Sequence, residues 1–224
     1  METYKNLNVF RYEDSEESVR NANKNGKPSI FLAGPTVRGN QPHLTSWRYD
    51  AIEIFKELNF NGSLIVPEFT SKTESDKGKN WVPMWEYNGL KSCDTILFWI
   101  PRTRELIGLT TNWEQGYWMG KNIAKCVYGR PDESFRNNYN DLMWKQIIKE
   151  YNEINNNKLV DIIYKTLYNT INKAIYNCTP ETIIFIKWLN NNKWEYSNEH
   201  SCYHIKKQIY RTVDDLYKLY LQQK

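Results

Sequence analysis

Short apolar runs, separated by segments with helical periodicity, constrain the fold of this chain more than any other feature. The runs are Ser29–Ala33, Ser63–Val66, Thr95–Ile100 and Asn122–Val127, and the helical segments are Thr45–Leu58, 83–92 and Thr111–Lys121. Strands that alternate with helices at this spacing form parallel sheets with helices on both faces. The sequence therefore predicts an α/β fold with a small Rossmann-like or flavodoxin-like parallel sheet.

The segments on either side of this pattern have a different character. Residues 1–27 are polar and mixed in charge, which predicts an irregular N-terminal arm. Residues 138–224 show helical periodicity and predict a C-terminal helical extension, with one helix starting at Thr179–Glu181 and another over Tyr203–Leu221. We therefore expect the arm at 1–27, an α/β domain at 28–137 and the helical extension at 138–224.

Composition excludes several classes of partner. The formal net charge of +4 over 224 residues falls short of the basic stripe of a nucleic-acid-binding protein. No stretch approaches the about 18 apolar residues of a membrane span, and no apolar signal core opens the chain. We expect no nucleic-acid or membrane partner and a cytoplasmic location. The cysteines lie far apart without a Cys-x-x-Cys pair, which favours reduced thiols over a zinc site.

Residues that follow the strands lie where ligands bind in open α/β sheets. None of these segments is a Gly-x-Gly-x-x-Gly or Walker loop, so dinucleotide and nucleoside-triphosphate chemistry are not supported. The histidines, at positions 43, 200 and 204, are poorly placed to activate a serine or cysteine nucleophile. Acidic residues near the strand ends instead favour glycosyl transfer, because a carboxylate can stabilise or trap an oxocarbenium-like transition state. This chemistry requires no metal and no organic cofactor.

A series of motifs, in matching order, resembles one known family. The motifs are Ile30–Thr36, Ser46–Arg48, Val66–Glu68, Trp85–Glu86, Cys93–Arg102 and Thr110–Gly116. Over about residues 28–131 the chain resembles the nucleoside 2-deoxyribosyltransferase-like family. The segments Trp99–Arg102 and Thr111–Glu114 are most similar to its second, divergent branch. The domain at 28–137 is therefore expected to be the catalytic domain.

The resemblance implies a retaining, double-displacement cleavage of a nucleoside N-glycosidic bond. In the family, a glutamate at the position of Glu114 attacks the anomeric carbon, and an acidic residue at the position of Glu86 lies near the leaving base. Phe31 is a departure, because the best-known members carry there a tyrosine whose hydroxyl orients the nucleophile. Asn112 is our candidate to replace that hydrogen bond. The segment Leu106–Gly108 is a second departure, because those members carry an aspartate that contacts the substrate.

Further residues are expected to bind the substrate. They are Phe31, Gly34, Pro35, Trp47, Arg48 and Trp85. The turn at Gly34–Pro35 is expected to let the backbone approach the sugar closely. Trp47 and Trp85 either stack on the base or pack in the core. Arg48, like Arg38, either contacts a 5′-phosphate or is a solvated residue of the protein surface.

Alternative interpretations remain open at this point. Thr111–Glu114 also matches a capping box, in which the glutamate bonds the first amides of a helix; as a nucleophile, Glu114 would be kept ionised by the same helix N-terminus. The first hypothesis is transfer of the sugar to another base or to water through a glycosyl-Glu114 intermediate. The alternatives are a nucleoside 5′-monophosphate N-glycosidase and a non-catalytic nucleotide-sensing binding protein. The partner is in each case a small-molecule nucleoside or nucleotide, and the resemblance implies a homo-oligomer.

Overall fold

The structure is a computed structural model that divides into two compact units, Met1–Cys178 and Thr179–Lys224. It describes the first unit apart from residues 5, 24–25, 38–40, 42, 71–81 and 156–158. In the second unit it describes the backbone of residues 195–197, 202–205 and 208–210. None of the described helices is long and apolar enough to cross a membrane.

A six-stranded sheet forms the centre of the first unit. The elements are β1 (Glu2–Tyr4), β2 (Leu7–Phe10), α1 (Glu16–Arg20), β3 (Ser29–Ala33), α2 (Trp47–Glu57), β4 (Gly62–Ile65), α3 (Val82–Ser92), β5 (Thr95–Trp99), α4 (Leu109–Asn122), β6 (Cys126–Gly129), α5 (Asn138–Asn155) and α6 (Leu167–Cys178). The strand order is β1-β2-β4-β3-β5-β6, and every neighbouring pair is parallel except β1 with β2. The predicted α/β fold with a Rossmann-like sheet is confirmed.

The strands bury both faces, as parallel strands do. In β3, Ile30 and Leu32 belong to one apolar core while Phe31 and Ala33 belong to the other. Side chains of α2 and α6 complete the first core, and those of α1, α3, α4 and α5 complete the second. Because α3 and α4 cover the same face, side chains near the ends of these two helices can meet above the sheet edge.

Two element boundaries differ from the sequence pattern in ways that matter for the site. The last strand begins at Cys126 rather than Asn122, because Ile123–Lys125 form a short 3-10 turn. Helix α4 begins at Leu109 rather than Thr111, directly after Gly108, whose φ of 64° is left-handed. Glycine adopts that conformation without steric cost, so it starts the helix here in place of a side-chain cap.

The N-terminal segment is more regular than the irregular arm expected for residues 1–27. Strand β2 pairs in parallel with β4 from Leu7↔Gly62 to Phe10↔Ile65, and β1 pairs with β2. Leu7 and Val9 are buried in the sheet, and Ser15 caps α1 by accepting from the Ser18 amide. An apolar run of four residues is too short to be distinguished from a loop by its periodicity, which is why the prediction was wrong here.

The C-terminal region is helical only in part. Helices α5 and α6 lie within the predicted extension and bury Trp144, Ile148 and Ile171 in the two cores. In the second unit, β7 (Glu195–Ser197), β8 (Cys202–Ile205) and β9 (Gln208–Tyr210) form an antiparallel sheet. This sheet overlaps the helix predicted over Tyr203–Leu221, because tyrosine and isoleucine also favour strands. The helix start predicted at Thr179–Glu181 lies outside the described residues.

Candidate functional site

The candidate site lies at the carboxyl edge of the sheet, where the strand order reverses. Strand β3 lies between β4 and β5 in the sheet. The chain passes from β3 through α2 to β4 on one side, and then crosses to β5 on the other side. Ligands bind at such a switch point in open α/β sheets. Tyr12, just after β2, donates a hydrogen bond to Glu86 of α3, and Glu114 of α4 lies near enough for the charge of Glu86 to raise its pKa. The resulting site contains two carboxyl groups and one phenol.

Glu114 is half-buried, and its carboxyl group is destabilised in the charged form. Burial, followed by the charge of Glu86, raises the pKa of Glu114 to about 8, while Arg48 acts in the opposite direction. The helix N-terminus was expected to keep this carboxylate ionised, but Glu114 lies in the second turn of α4, beyond the reach of most of that effect. Near neutral pH the Glu114 carboxyl group therefore keeps its proton under the influence of the Glu86 charge.

The capping-box interpretation of Glu114 is not supported by the helix geometry. Gly108 occupies the N-cap position of α4, with no side-chain hydrogen bond, and Thr111 lies inside the helix. A capping box requires the glutamate three residues after the cap, and that position is held by Thr111 rather than Glu114. The carboxyl group of Glu114 is therefore not committed to the first amides of the helix.

Glu114→Gln is expected to be more stable than wild type at about pH 9, with the advantage fading towards pH 4.5. The pKa of the folded carboxyl group is raised from 4.5 to about 8. Its contribution to stability is therefore complete below pH 4.5 and is lost as the pH rises through about 8. Urea unfolding across this range measures the effect. Glu53→Gln, which removes an exposed glutamate of α2 paired with Lys56, is the matched control. The prediction would be contradicted if the free energy of unfolding of Glu114→Gln changed with pH in the same way as that of the wild type.

Tyr12 was not among the predicted site residues, yet its hydroxyl donates a hydrogen bond to Oε1 of Glu86. Its ring is only 7% exposed and packs between Phe69 and Trp85, with ring centroids 4.9 Å and 5.0 Å away. Burial, followed by the charge of Glu86, holds the pKa of Tyr12 well above its ordinary value, so the phenol stays a donor. Nothing in the local pattern marked this residue, because it follows the short strand that the sequence analysis did not identify.

Asn112, the candidate to orient Glu114, has other hydrogen-bond partners. Its Oδ1 accepts from Nη2 of Arg102 at 2.6 Å and from Nδ2 of Asn140 at 3.1 Å. Asn140 also donates to Oε1 of Gln115. Asn112 therefore links α4 to α5 and to the loop after β5, rather than reaching towards the carboxyl pair.

Arg48, expected to contact a 5′-phosphate, is 1% exposed and already saturated with acceptors. Its Nε donates to the Leu32 carbonyl at 2.9 Å, its Nη2 donates to the Gly34 carbonyl at 2.8 Å, and its Nη1 pairs with Glu68 at 2.7 Å. All three guanidinium nitrogens thus donate to the protein's own acceptors and brace the loop after β3. The other candidate cation, Arg38, lies outside the described residues.

The aromatic residues proposed to contact the substrate are core residues. Trp85 is fully buried and donates from Nε1 to the Asp14 carbonyl at 3.0 Å. Trp47 is 7% exposed and donates to the Pro35 carbonyl at 3.1 Å, while Phe31 is 1% exposed. Neither indole offers an open face on which a base could stack, so the core-packing alternative fits both tryptophans.

Gly34 and Pro35 shape the site through close packing. A Cβ on Gly34 would lie 2.2 Å from the Trp99 carbonyl oxygen, so only glycine lets the end of β3 lie against the end of β5. A Cβ on Gly108 would lie 2.7 Å from Cγ of Pro35. The loop after β3 therefore packs against the start of α4, at Pro35 and Gly108. The close approach that Gly34 permits is to the protein's own backbone.

Comparison with known protein families gives a match, which covers a segment of the first unit. A search of curated proteins gave no match. Residues 27–133 match the model of the family described as nucleoside 2-deoxyribosyltransferase like. The match includes Glu86 and Glu114 and begins after Tyr12. The suspected resemblance is thereby confirmed for one segment: residues 27–133 are similar to the nucleoside 2-deoxyribosyltransferase-like family.

Proposed function

We propose that this protein cleaves the N-glycosidic bond of a nucleoside or deoxynucleoside and transfers the sugar to another nucleobase or to water. The observation that carries the proposal is the carboxyl pair of Glu86 and Glu114, in which the charge of one raises the pKa of the other. The pair lies at the sheet edge where α/β proteins bind ligands, inside the segment that matches the family. A carboxylate beside a proton-bearing carboxyl group is the arrangement that retaining glycosyl transfer uses.

In the proposed reaction, Glu114 is the nucleophile and Glu86 assists the leaving base. The carboxylate of Glu114 forms a bond to the anomeric carbon while the carbon–nitrogen bond breaks and its electron pair leaves with the base. Glu86 delivers the proton of the pair to that base. An acceptor base or water then attacks the same carbon, loses its proton to Glu86, displaces Glu114 and restores the Glu114 carboxylate. The sugar keeps its original anomeric configuration after the two displacements.

The test is chromatography of free base released from a panel of deoxynucleosides, ribonucleosides and their monophosphates. Each substrate is incubated with the full chain, with and without an acceptor base. Base release that increases with acceptor identifies a transferase, whereas release that is independent of acceptor identifies a hydrolase. Light scattering on the same preparation measures whether the protein is the homo-oligomer that the resemblance implies.

The covalent intermediate has its own measurement. A slowly hydrolysed 2-fluoro sugar analogue is expected to add the mass of the glycosyl group to the peptide that contains Glu114. Absence of both base release and adduct, from protein that unfolds cooperatively, would contradict an enzymatic role and favour the nucleotide-sensing alternative.

One observation favours a 5′-monophosphate as the substrate. Arg102, just after β5, is 4% exposed and differs from Arg48 in one respect: its Nη1 and Nη2 donate to the Arg136 carbonyl and to Asn112, but its Nε has no hydrogen-bond partner among the described residues. No ion pair joins Arg102 to a carboxylate in the described part of the chain, and burial lowers the pKa of its guanidinium. A phosphate is a suitable partner for such a cation. A preference for monophosphates that Arg102→Gln removes, while nucleoside cleavage persists, would support this second candidate.

A further inference from the structure

Tyr12 combines burial, a defined hydrogen bond and proximity to both carboxyl groups. It lies 74 positions before Glu86 in the sequence, yet donates to that carboxylate. The ring contacts of Phe69 and Trp85 fix its orientation. A phenol that served only to fill the core would be better replaced by phenylalanine, because burying a hydroxyl is costly unless it has a partner. The bond to Glu86 therefore points to a role for the hydroxyl itself.

The charged groups that face Tyr12 come from three helices. Glu86 on α3 and Glu114 on α4 disfavour the phenolate, and Arg48 on α2, itself paired with Glu68, favours it. On its own segment, the neighbouring carboxylates have other partners: Glu13 accepts from the Thr70 amide and Asp14 from the Arg11 amide. Among the residues that the structure describes, Tyr12 is thus a neutral donor near the carboxyl groups of Glu86 and Glu114 and the cation of Arg48.

We propose that Tyr12 is a positioning residue, whose packed hydroxyl holds the Glu86 carboxylate in place and favours its ionised form, so that Glu114 is the group that carries the proton. A donor to Glu86 stabilises the ionised form of that group. The proton then stays on Glu114 in the free protein. Binding of a substrate moves it to Glu86, which is the group that protonates the leaving base. The catalytic value of this arrangement rests on the function proposed above, whereas the placement of the proton does not.

Carbon-13 NMR titration of the glutamate carboxyl groups tests the inference in the full chain without any substrate. The signals of Glu86 and Glu114 are assigned by comparison with Glu86→Gln and Glu114→Gln. In Tyr12→Phe, which keeps the packed ring, the Glu86 midpoint is expected to rise by roughly one pH unit and the Glu114 midpoint to fall. Tyr4→Phe is the matched control, because Tyr4 donates to Glu2 at 2.5 Å from β1, beside the start of β2 rather than its end.

Midpoints that are unchanged in Tyr12→Phe, or that change equally in Tyr4→Phe, would overturn the inference. A merely structural role would lower the unfolding temperature and leave both titrations in place. Where base release is detected, the acid limb of the kcat/KM profile of Tyr12→Phe is expected to move up by roughly one pH unit. A wild-type protein without base release would refute the proposed function, while the NMR titration would still decide the role of Tyr12.

Discussion

Replacing Arg48 by methionine is expected to lower the free energy of unfolding by about 3–5 kcal/mol, the usual cost of removing one partner from a buried ion pair. The substitution leaves the Glu68 carboxylate, in a side chain 9% exposed, without its cation. It also leaves the carbonyls of Leu32 and Gly34 without the donors that Arg48 provides. Unsatisfied buried acceptors add their own desolvation cost. Urea unfolding at neutral pH measures the change.

An exposed ion pair provides the control for Arg48. Arg20 pairs with Glu16 at 3.1 Å on α1, and its side chain is 55% exposed. Arg20→Met is therefore expected to cost less than about 1 kcal/mol. The double variant Arg48→Met with Glu68→Gln is expected to regain part of the loss, because it removes the stranded charge. Equal effects of Arg48→Met and Arg20→Met would show that the guanidinium of Arg48 does not brace the loop after β3.

The sheet could be predicted from the sequence because it depends on local signals, whereas the two glutamates were proposed from the family resemblance. The strand Ser29–Ala33 has the predicted bounds, since a buried apolar run followed by Gly34–Pro35 defines both its start and its end. Glu114 and Glu86 were identified by motifs that hold their place relative to the strands. Parallel strands bring such positions to one edge regardless of the loops between them.

The roles of the surrounding residues could not be predicted, because burial is a property of the assembled fold. The sequence places Trp85 beside Glu86, but only packing between α1, α3 and the sheet decides that its indole is enclosed. Arg48 follows a cap residue at the start of α2, where an arginine commonly faces solvent, and the close loop after β3 turns it inward. Tyr12 lies two positions after the four-residue strand β2, and the pairing of that strand within the sheet is what brings its hydroxyl to Glu86. Long-range contacts of this kind leave no periodic trace.

Glu114→Gln is expected to reduce base release by on the order of a thousandfold or more, because it removes the proposed nucleophile while preserving the shape of the side chain. Glu53→Gln, the exposed glutamate of α2, is expected to retain the wild-type rate. A loss shared by both variants, or a rate for Glu114→Gln within about tenfold of wild type, would exclude Glu114 as the nucleophile.

The pH profile separates a chemical role for Glu114 from a structural one. With one proton shared by the pair, kcat/KM of the wild type is expected to fall above pH about 8, where Glu114 loses the last proton that the leaving base requires. The residual activity of Glu114→Gln has no second carboxyl group to repel Glu86, so its profile is expected to lack a limb at that pH. If the kcat/KM profile of Glu114→Gln still falls near pH 8, the titration belongs to another group. The raised pKa of Glu114 would then have no part in the proposed reaction.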